Sequence, residues 1–327
     1  LAILLAMVAV VSLGVGRYDI PFMRVVEILW SPISPPAVPV TATEANVVFT
    51  VRMPRILLAL LAGAGLALSG ATLQGVFRNP LVGPQVMGVS SGAAFGGTLA
   101  ILLSFSRYGL LGSAFAFGLS ALIIVYGLNG IVARRNILAL VLAGVVVSGF
   151  FGALVSLVQY LADTEDKLPA MVFWLLGSFA TANWEKFWLI AAPVVIGSLL
   201  LLGLRWRINL LSIGDEDARA LGVNVEPLRW LILVLVSCIV AAQVAVSGII
   251  GWVGLVVPHM ARMLVGPDHR VMMPASLLIG ALYLLVIDTI ARTATGSEIP
   301  LGILTALMGT PVFALVLRQT QRGARGF

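Results

Sequence analysis

The chain has 327 residues, 60% of them hydrophobic and 10% charged, with a net charge of +6 and a mean hydropathy of +1.07. A soluble domain carries about 25% charged residues, so a soluble globular protein is excluded; apolar runs recur along the whole length and predict an all-α polytopic membrane protein, one membrane domain over residues 1–327. The positive balance fits the loops of such a protein rather than nucleic-acid binding, and the single cysteine, Cys238, excludes a disulfide framework.

Ten apolar segments follow one another, near 1–16, 54–76, 85–105, 109–132, 137–161, 187–205, 228–247, 251–265, 272–293 and 300–318. The first reaches Arg17 after 16 residues, with no initiator methionine and no basic stretch before it. That pattern predicts a trimmed N-terminus rather than a cleavable signal peptide. The second begins after "VRMPR", which holds Arg52 and Arg55, and carries Ala59, Gly63, Ala67, Ala71 and Gly75 at every fourth position. The spacing predicts a smooth helix face that another backbone can approach closely, a packing feature. Between the fifth and sixth segments, residues 162–187 hold a nine-residue apolar run, too short to span, which predicts a re-entrant or interfacial helix. Trp174, Trp184 and Trp188 suit the membrane interface there. Residues 205–229 form the longest loop and predict a short helix from Asp215 to Leu221, acids in its first turn, ended by Gly222. "LALSGATLQGV" in the second segment is echoed by "VAVSGIIGWVG" after the seventh. Five spans apart, the two would run in opposite directions, as inverted repeats of transporters do.

Ten spans place both termini on one side. With that side cytoplasmic, the inner loops hold twelve positive residues against five acids, and the outer segments eight against nine. The positive-inside rule favours this orientation in a plasma membrane. It leaves Arg17, Arg24, Arg52 and Arg55 outside.

Chemistry-bearing motifs are few. There is no G-x-x-x-x-G-K-[ST] stretch, and the only lysines are Lys167 and Lys186, so the chain cannot cradle ATP phosphates. Two histidines, His259 and His269, with no Cys/His cluster, give no zinc site, and His259 reads as a packed, hydrogen-bonded side chain. No catalytic constellation is visible, so the chain is not read as an enzyme. Asp288 is the main carboxylate inside a span and lies four residues before Arg292, close enough to pair on one helix face. Carriers driven by ion gradients usually need intramembrane carboxylates. Their scarcity argues for energy supplied from elsewhere, with a secondary carrier as the alternative of another class.

Four stretches resemble one family, the permease subunits of type II ABC importers for ferric chelates, haem and cobalamin: "RMPRILLALLAGAGLALSGATLQGVFRNPLVGPQVMGVSSGAAFG", "LSIGDEDARALGV", "GWVGLVVPHMARMLVGPDHR" and "EIPLGILTALMGTPVFALVLR". They cover the chain from about residue 50 onward. The resemblance implies a ten-helix inverted-repeat permease, paired with a second permease subunit as a homodimer. Two ATP-binding subunits lie below, holding ATP and Mg, and a substrate-binding protein docks above; membrane lipid surrounds the whole. It implies no cofactor in this chain. The pathway would run between the two permeases, lined by the fifth and tenth helices. The coupling helix would be Gly214, Asp215, Ala218, Leu221 and Gly222. The cytoplasmic gate would be Asn79, Pro80 and Leu81, with a looser match at Ile137 and Leu138. Arg52, Arg55 and Arg292 would dock the binding protein's glutamates. The cargoes it implies are ferric siderophore, haem, cobalamin and an oxyanion such as molybdate, in that order. "LVGP" follows the gate asparagine where many relatives carry an acid.

Overall fold

The structure is a computed structural model that describes residues 1–16, 18–34, 38–132 and 137–324. Among the described residues it is all helical. In chain order the helices are α1 (Ala2–Gly14), α2 (Phe22–Trp30), α3 (Ala42–Ala45), α4 (Met53–Phe77), α5 (Val89–Leu102), α6 (Arg107–Val132), α7 (Ile137–Leu161), α8 (Lys167–Leu175), α9 (Trp184–Gly203), α10 (Arg205–Leu211), α11 (Asp215–Ala220), α12 (Val225–Ser247), α13 (Val253–Val265), α14 (His269–Thr293) and α15 (Leu301–Ala324). Six helical runs are long and apolar enough to cross a membrane, and four shorter apolar helices, Ala2–Gly14, Val89–Leu102, Val253–Val265 and Leu301–Ala314, accompany them. These ten runs fall on the ten segments read from the sequence.

Helix α4 is the core, buried along nearly its whole length. Its small-residue face is the reason. Gly63 lies so close to the Gly280 backbone of α14 that a Cβ on either would overlap the other helix, and Gly70 meets the Gly254 carbonyl of α13 as tightly. Helices this close gain dispersion contacts along their length, which is the main attraction available in lipid. The echoed stretches therefore touch at Gly70 and Gly254. Their local structures differ: the first is continuous helix, whereas the second breaks after Ser247.

A π-helical run, Asn46–Arg52, leads into α4, and the Met53 N–H donates to the Val48 carbonyl, five residues back. Pro54 has no N–H to give to the preceding turn, and the wider ring accommodates that loss. Arg52 is the last residue of this run, and Arg55 lies in the first turn of α4. One end of the bundle, the arginine end, thus holds the start of α4 and the end of α14. The other, the loop end, holds Arg78, α10, α11 and the start of α12. The short helix α8 matches the run expected within residues 162–187.

Candidate functional site

At the loop end α11 spans Asp215–Ala220, one residue shorter than expected, and Leu221 is its C-cap. Gly222, at φ +81°, takes the left-handed conformation that lets the chain turn back. Its N–H donates to the Arg219 carbonyl and the Val223 N–H to the Ala218 carbonyl, each at 2.9 Å. This pair of bonds satisfies the last carbonyls of the helix. Ala218 is fully buried beneath it, and Asp215 accepts two 2.8 Å hydrogen bonds from the buried Arg229 of α12. One face of this small helix is therefore fixed to the bundle. Leu221 is left 60% exposed.

Beside Leu221 opens a cleft of about 620 Å³, lined by Trp206, Arg207, Leu210, Val223, Pro227 and Leu231 among others. The Arg270 guanidinium stacks over the Trp206 ring, 5.2 Å from its centre. Asp268 holds that guanidinium, and the hydrogen bonds from the Arg270 side chain and backbone lower its carboxyl to about 2. An exposed leucine on the edge of a cleft with both polar and apolar walls is suited to receive another protein.

The gate residues sit at the same end. Arg78 caps α4 in the left-handed region at φ 50°. Asn79 closes a tight turn by accepting from the Leu81 N–H at 2.9 Å. Asn79, Pro80 and Leu81 are all exposed. The Arg78 guanidinium reaches Gly214, to 3.5 Å of where a Cβ would stand, so the gate turn and the α11 loop adjoin. Leu138 is exposed at the start of α7. Residues 133–136 and the side chain of Ile137 lie outside the described residues, as do Arg17 and Arg325.

Helix α7 presents Leu138, Leu142, Val145, Val146, Phe150 and Leu157 on an exposed apolar face, and α15 presents Ile303, Leu307 and Met308. Neither α7 over 137–161 nor α15 over 301–314 contains a charged residue.

The arginine end differs from the expectation of an outward-facing positive patch. Arg52, Arg55 and Arg292 are all buried. Arg55 bonds Asp288 through Nε at 3.0 and 3.1 Å and through Nη2 at 2.8 Å, and bonds Glu298 at 2.8 and 2.9 Å. Arg52 donates to the carbonyls of Leu13, Gly14 and Tyr18 at 2.6–2.9 Å. Arg292 donates to Val15 and to both oxygens of Ser12. The last carbonyls of α1 have no partners within the helix and lie at the negative end of its dipole. Two cations, Arg52 at the end of the π-helical run and Arg292 of α14, reach carbonyls at and just beyond this helix end, so these arginines tether α1. Asp288, expected to pair with Arg292, is instead bound by Arg55, 233 residues away in sequence. The only sequence signal for Glu298 is an isolated acid before the last apolar run. The buried His259 Nδ1, expected to be hydrogen-bonded, has no partner among the described residues.

Comparison with known proteins gives the same architecture a lineage. Residues 4–319 match the model of the FecCD transport family. The chain is 51% identical, over 99% of its length and 95% of the relative's, to the molybdate import system permease protein MolB of Haemophilus influenzae. It is 38% identical to the hemin transport system permease protein HmuU of Yersinia pestis, over 98% of this chain and 95% of that one. A solved metal-chelate type ABC transporter in an inward-facing conformation superposes with a TM-score of 0.88 at 49% identity, covering 97% of each chain. PsaBC from Streptococcus pneumoniae shares the fold alone, at a TM-score of 0.58 and 16% identity over 89% of this chain and 95% of that one. With the family model spanning nearly the whole sequence, the chain belongs to the FecCD transport family and is the non-catalytic, membrane-integral permease of an ABC importer.

Proposed function

We propose that this permease forms the pathway for an oxyanion of the molybdate class, with a metal chelate such as a ferric siderophore or haem as the second reading. The observation that carries the cargo is the 51% identity, end to end, with a molybdate permease. It reverses the order of cargoes that the sequence resemblance implied. The chemistry of the wall supports it. Residues 79–88, 137–161 and 301–314 contain no acid. A doubly charged anion passing them meets no carboxylate, whose repulsion would be poorly screened at membrane depth.

The proposed assembly has two copies of this chain meeting along the exposed apolar faces of α7 and α15. An ATP-binding subunit sits on the α11 loop of each, and a binding protein arrives at the arginine end. The loop end and both termini are cytoplasmic. ATP and Mg are held by the partner subunits, and α11, pinned through Ala218 and Asp215, passes their movement to the bundle. Asp288 supports an external energy source over an ion gradient: its carboxylate is fully buried and committed to Arg55, so it is not a free ion-carrying group.

Uptake into vesicles that hold the permease with its ATPase and binding protein tests both levels. Radiolabelled molybdate is expected to accumulate only with ATP. Accumulation of a ferric siderophore or haem but not molybdate would overturn the cargo, and accumulation driven by an ion gradient without the ATPase would overturn the mechanism.

A further inference from the structure

The chain between α12 and α13 contains a strained turn. Trp252 has φ 66° and ψ −34°, and the Val253 N–H donates to the Gly251 carbonyl at 2.8 Å. These are the marks of a γ-turn with positive φ, a rare form that is costly for any residue with a Cβ. A tryptophan there is expensive, and glycine would relieve the strain.

The segment that leads into the turn, residues 247–250, is packed against both neighbours. The Ser178 N–H donates to the Ser247 carbonyl at 2.8 Å, and the Leu301 and Gly302 N–H groups donate to the Gly177 and Leu176 carbonyls at 2.9 Å each. The carbonyls of Leu176 and Gly177, just after α8, thus satisfy the first N–H groups of α15, and both adjoin residues 247–251. Gly177 and Gly248 are left-handed here, at φ +75° and +70°. A Cβ on Gly177 would stand 2.6 Å from the Ile249 carbonyl, and one on Gly248 would overlap the Trp174 carbonyl. The broken segment, the short helix and the start of α15 form one hydrogen-bonded junction.

What the strained residue does with its side chain gives the junction direction. The indole lies on α15. A Cβ on Gly309 would stand 2.9 Å from the Trp252 Cβ, and the Phe313 ring meets the indole edge-on at 6.4 Å. Gly309 leaves the space in which the Trp252 side chain sits. On its other face α15 exposes Leu307 and Met308.

We propose that Trp252 is a positioning residue for translocation: its strained turn is a latch whose indole, seated at Gly309, makes α15 follow the movement of α13. The inference rests on the reading that α15 lines the pathway. It explains why strain is retained at this turn, where relaxing the turn would withdraw the indole from α15. A cytoplasmic movement of α13 would reach the pathway through this contact.

Uptake per ATP hydrolysed, measured in reconstituted vesicles, tests it alongside the distance between spin labels on α13 and α15 with and without ATP. Trp252→Ala is expected to leave assembly and ATP hydrolysis intact, to lower uptake per ATP at least tenfold, and to broaden the α13–α15 distance distribution. Trp252→Phe should restore most of the coupling. Gly309→Val, which fills the seat of the indole, should lower uptake per ATP in the same way, and Trp252→Gly, which relieves the positive φ but removes the indole, should lose coupling as Trp252→Ala does. The glycine variant keeps the test decisive if the alanine variant misfolds. Full uptake per ATP in Trp252→Ala, or unchanged distances in a variant that has lost uptake, would overturn the latch. If the unaltered permease takes up nothing with ATP, the importer reading fails instead.

Discussion

Replacing Arg55 by leucine separates an internal role for the arginine end from a docking role. The guanidinium makes three bonds of 2.8–3.1 Å to Asp288, whose side chain is fully buried, and two to the partly exposed Glu298. Leucine keeps the apolar stem but leaves the Asp288 carboxylate desolvated and unpaired. Breaking a buried pair from one side costs about 3–5 kcal/mol, or roughly two to nearly four powers of ten in the folded-to-unfolded ratio. Replacing both partners with leucine removes the stranded charge, and such exchanges are often neutral. Arg55→Leu/Asp288→Leu should therefore recover most of the loss, with Glu298 turning to solvent. Reversible unfolding in mixed detergent micelles, followed by tryptophan fluorescence, gives both differences. Arg55→Leu within about 0.5 kcal/mol of the unaltered protein, comparable to a surface change, would refute the buried cluster. So would a double variant no better than the single one. A stable Arg55→Leu protein that fails only to bind its binding protein would restore the docking role.

Three further outcomes follow from the loop end and the core. Leu221→Asp places a charge where the exposed leucine adjoins the cleft, and burying it against a partner costs a few kcal/mol; co-purification of the ATPase subunit should fall at least tenfold while thermal stability of the permease stays unchanged. Gly280→Leu should destabilise by about 1–3 kcal/mol through overpacking against Gly63 and Ala67, read as a lower melting temperature, and an unchanged melting temperature would mean that α4 and α14 do not touch there. Cysteines at Asn79 and Leu81, in a protein whose one native cysteine has been removed, should crosslink between two copies in at least one nucleotide state, since both side chains are exposed at the loop end. Retained transport with no crosslink in any state would remove them from the gate.

The sequence by itself determined the class of molecule and the course of its chain. Hydropathy is additive along a segment, so ten apolar runs were legible without any contact being known, and the six long and four short helices fall on them. Local signals were legible for the same reason: Gly222 ended α11, and the fourfold spacing of small residues on α4 marked a close-packed face. Its partner, the Gly280 backbone of α14, had no such signal. The arginines show where local reasoning stops. Arg52, Arg55 and Arg292 occupy one end of their helices as expected, yet whether a guanidinium turns outward depends on what stands beside it. Asp288, 233 residues from Arg55, and the α1 carbonyls, 38–39 residues before Arg52, are brought there only by the packing of α1, α4 and α14. Spacing suggested that Asp288 and Arg292 pair along one helix, but the buried Asp288 and the partly exposed Glu298 beside Arg55, and the carbonyls at the end of α1 beside Arg292, divided the charges otherwise. The strained Trp252 was beyond any local rule, because the seat of its indole at Gly309 and the groups packed on the segment before its turn meet only in the folded chain.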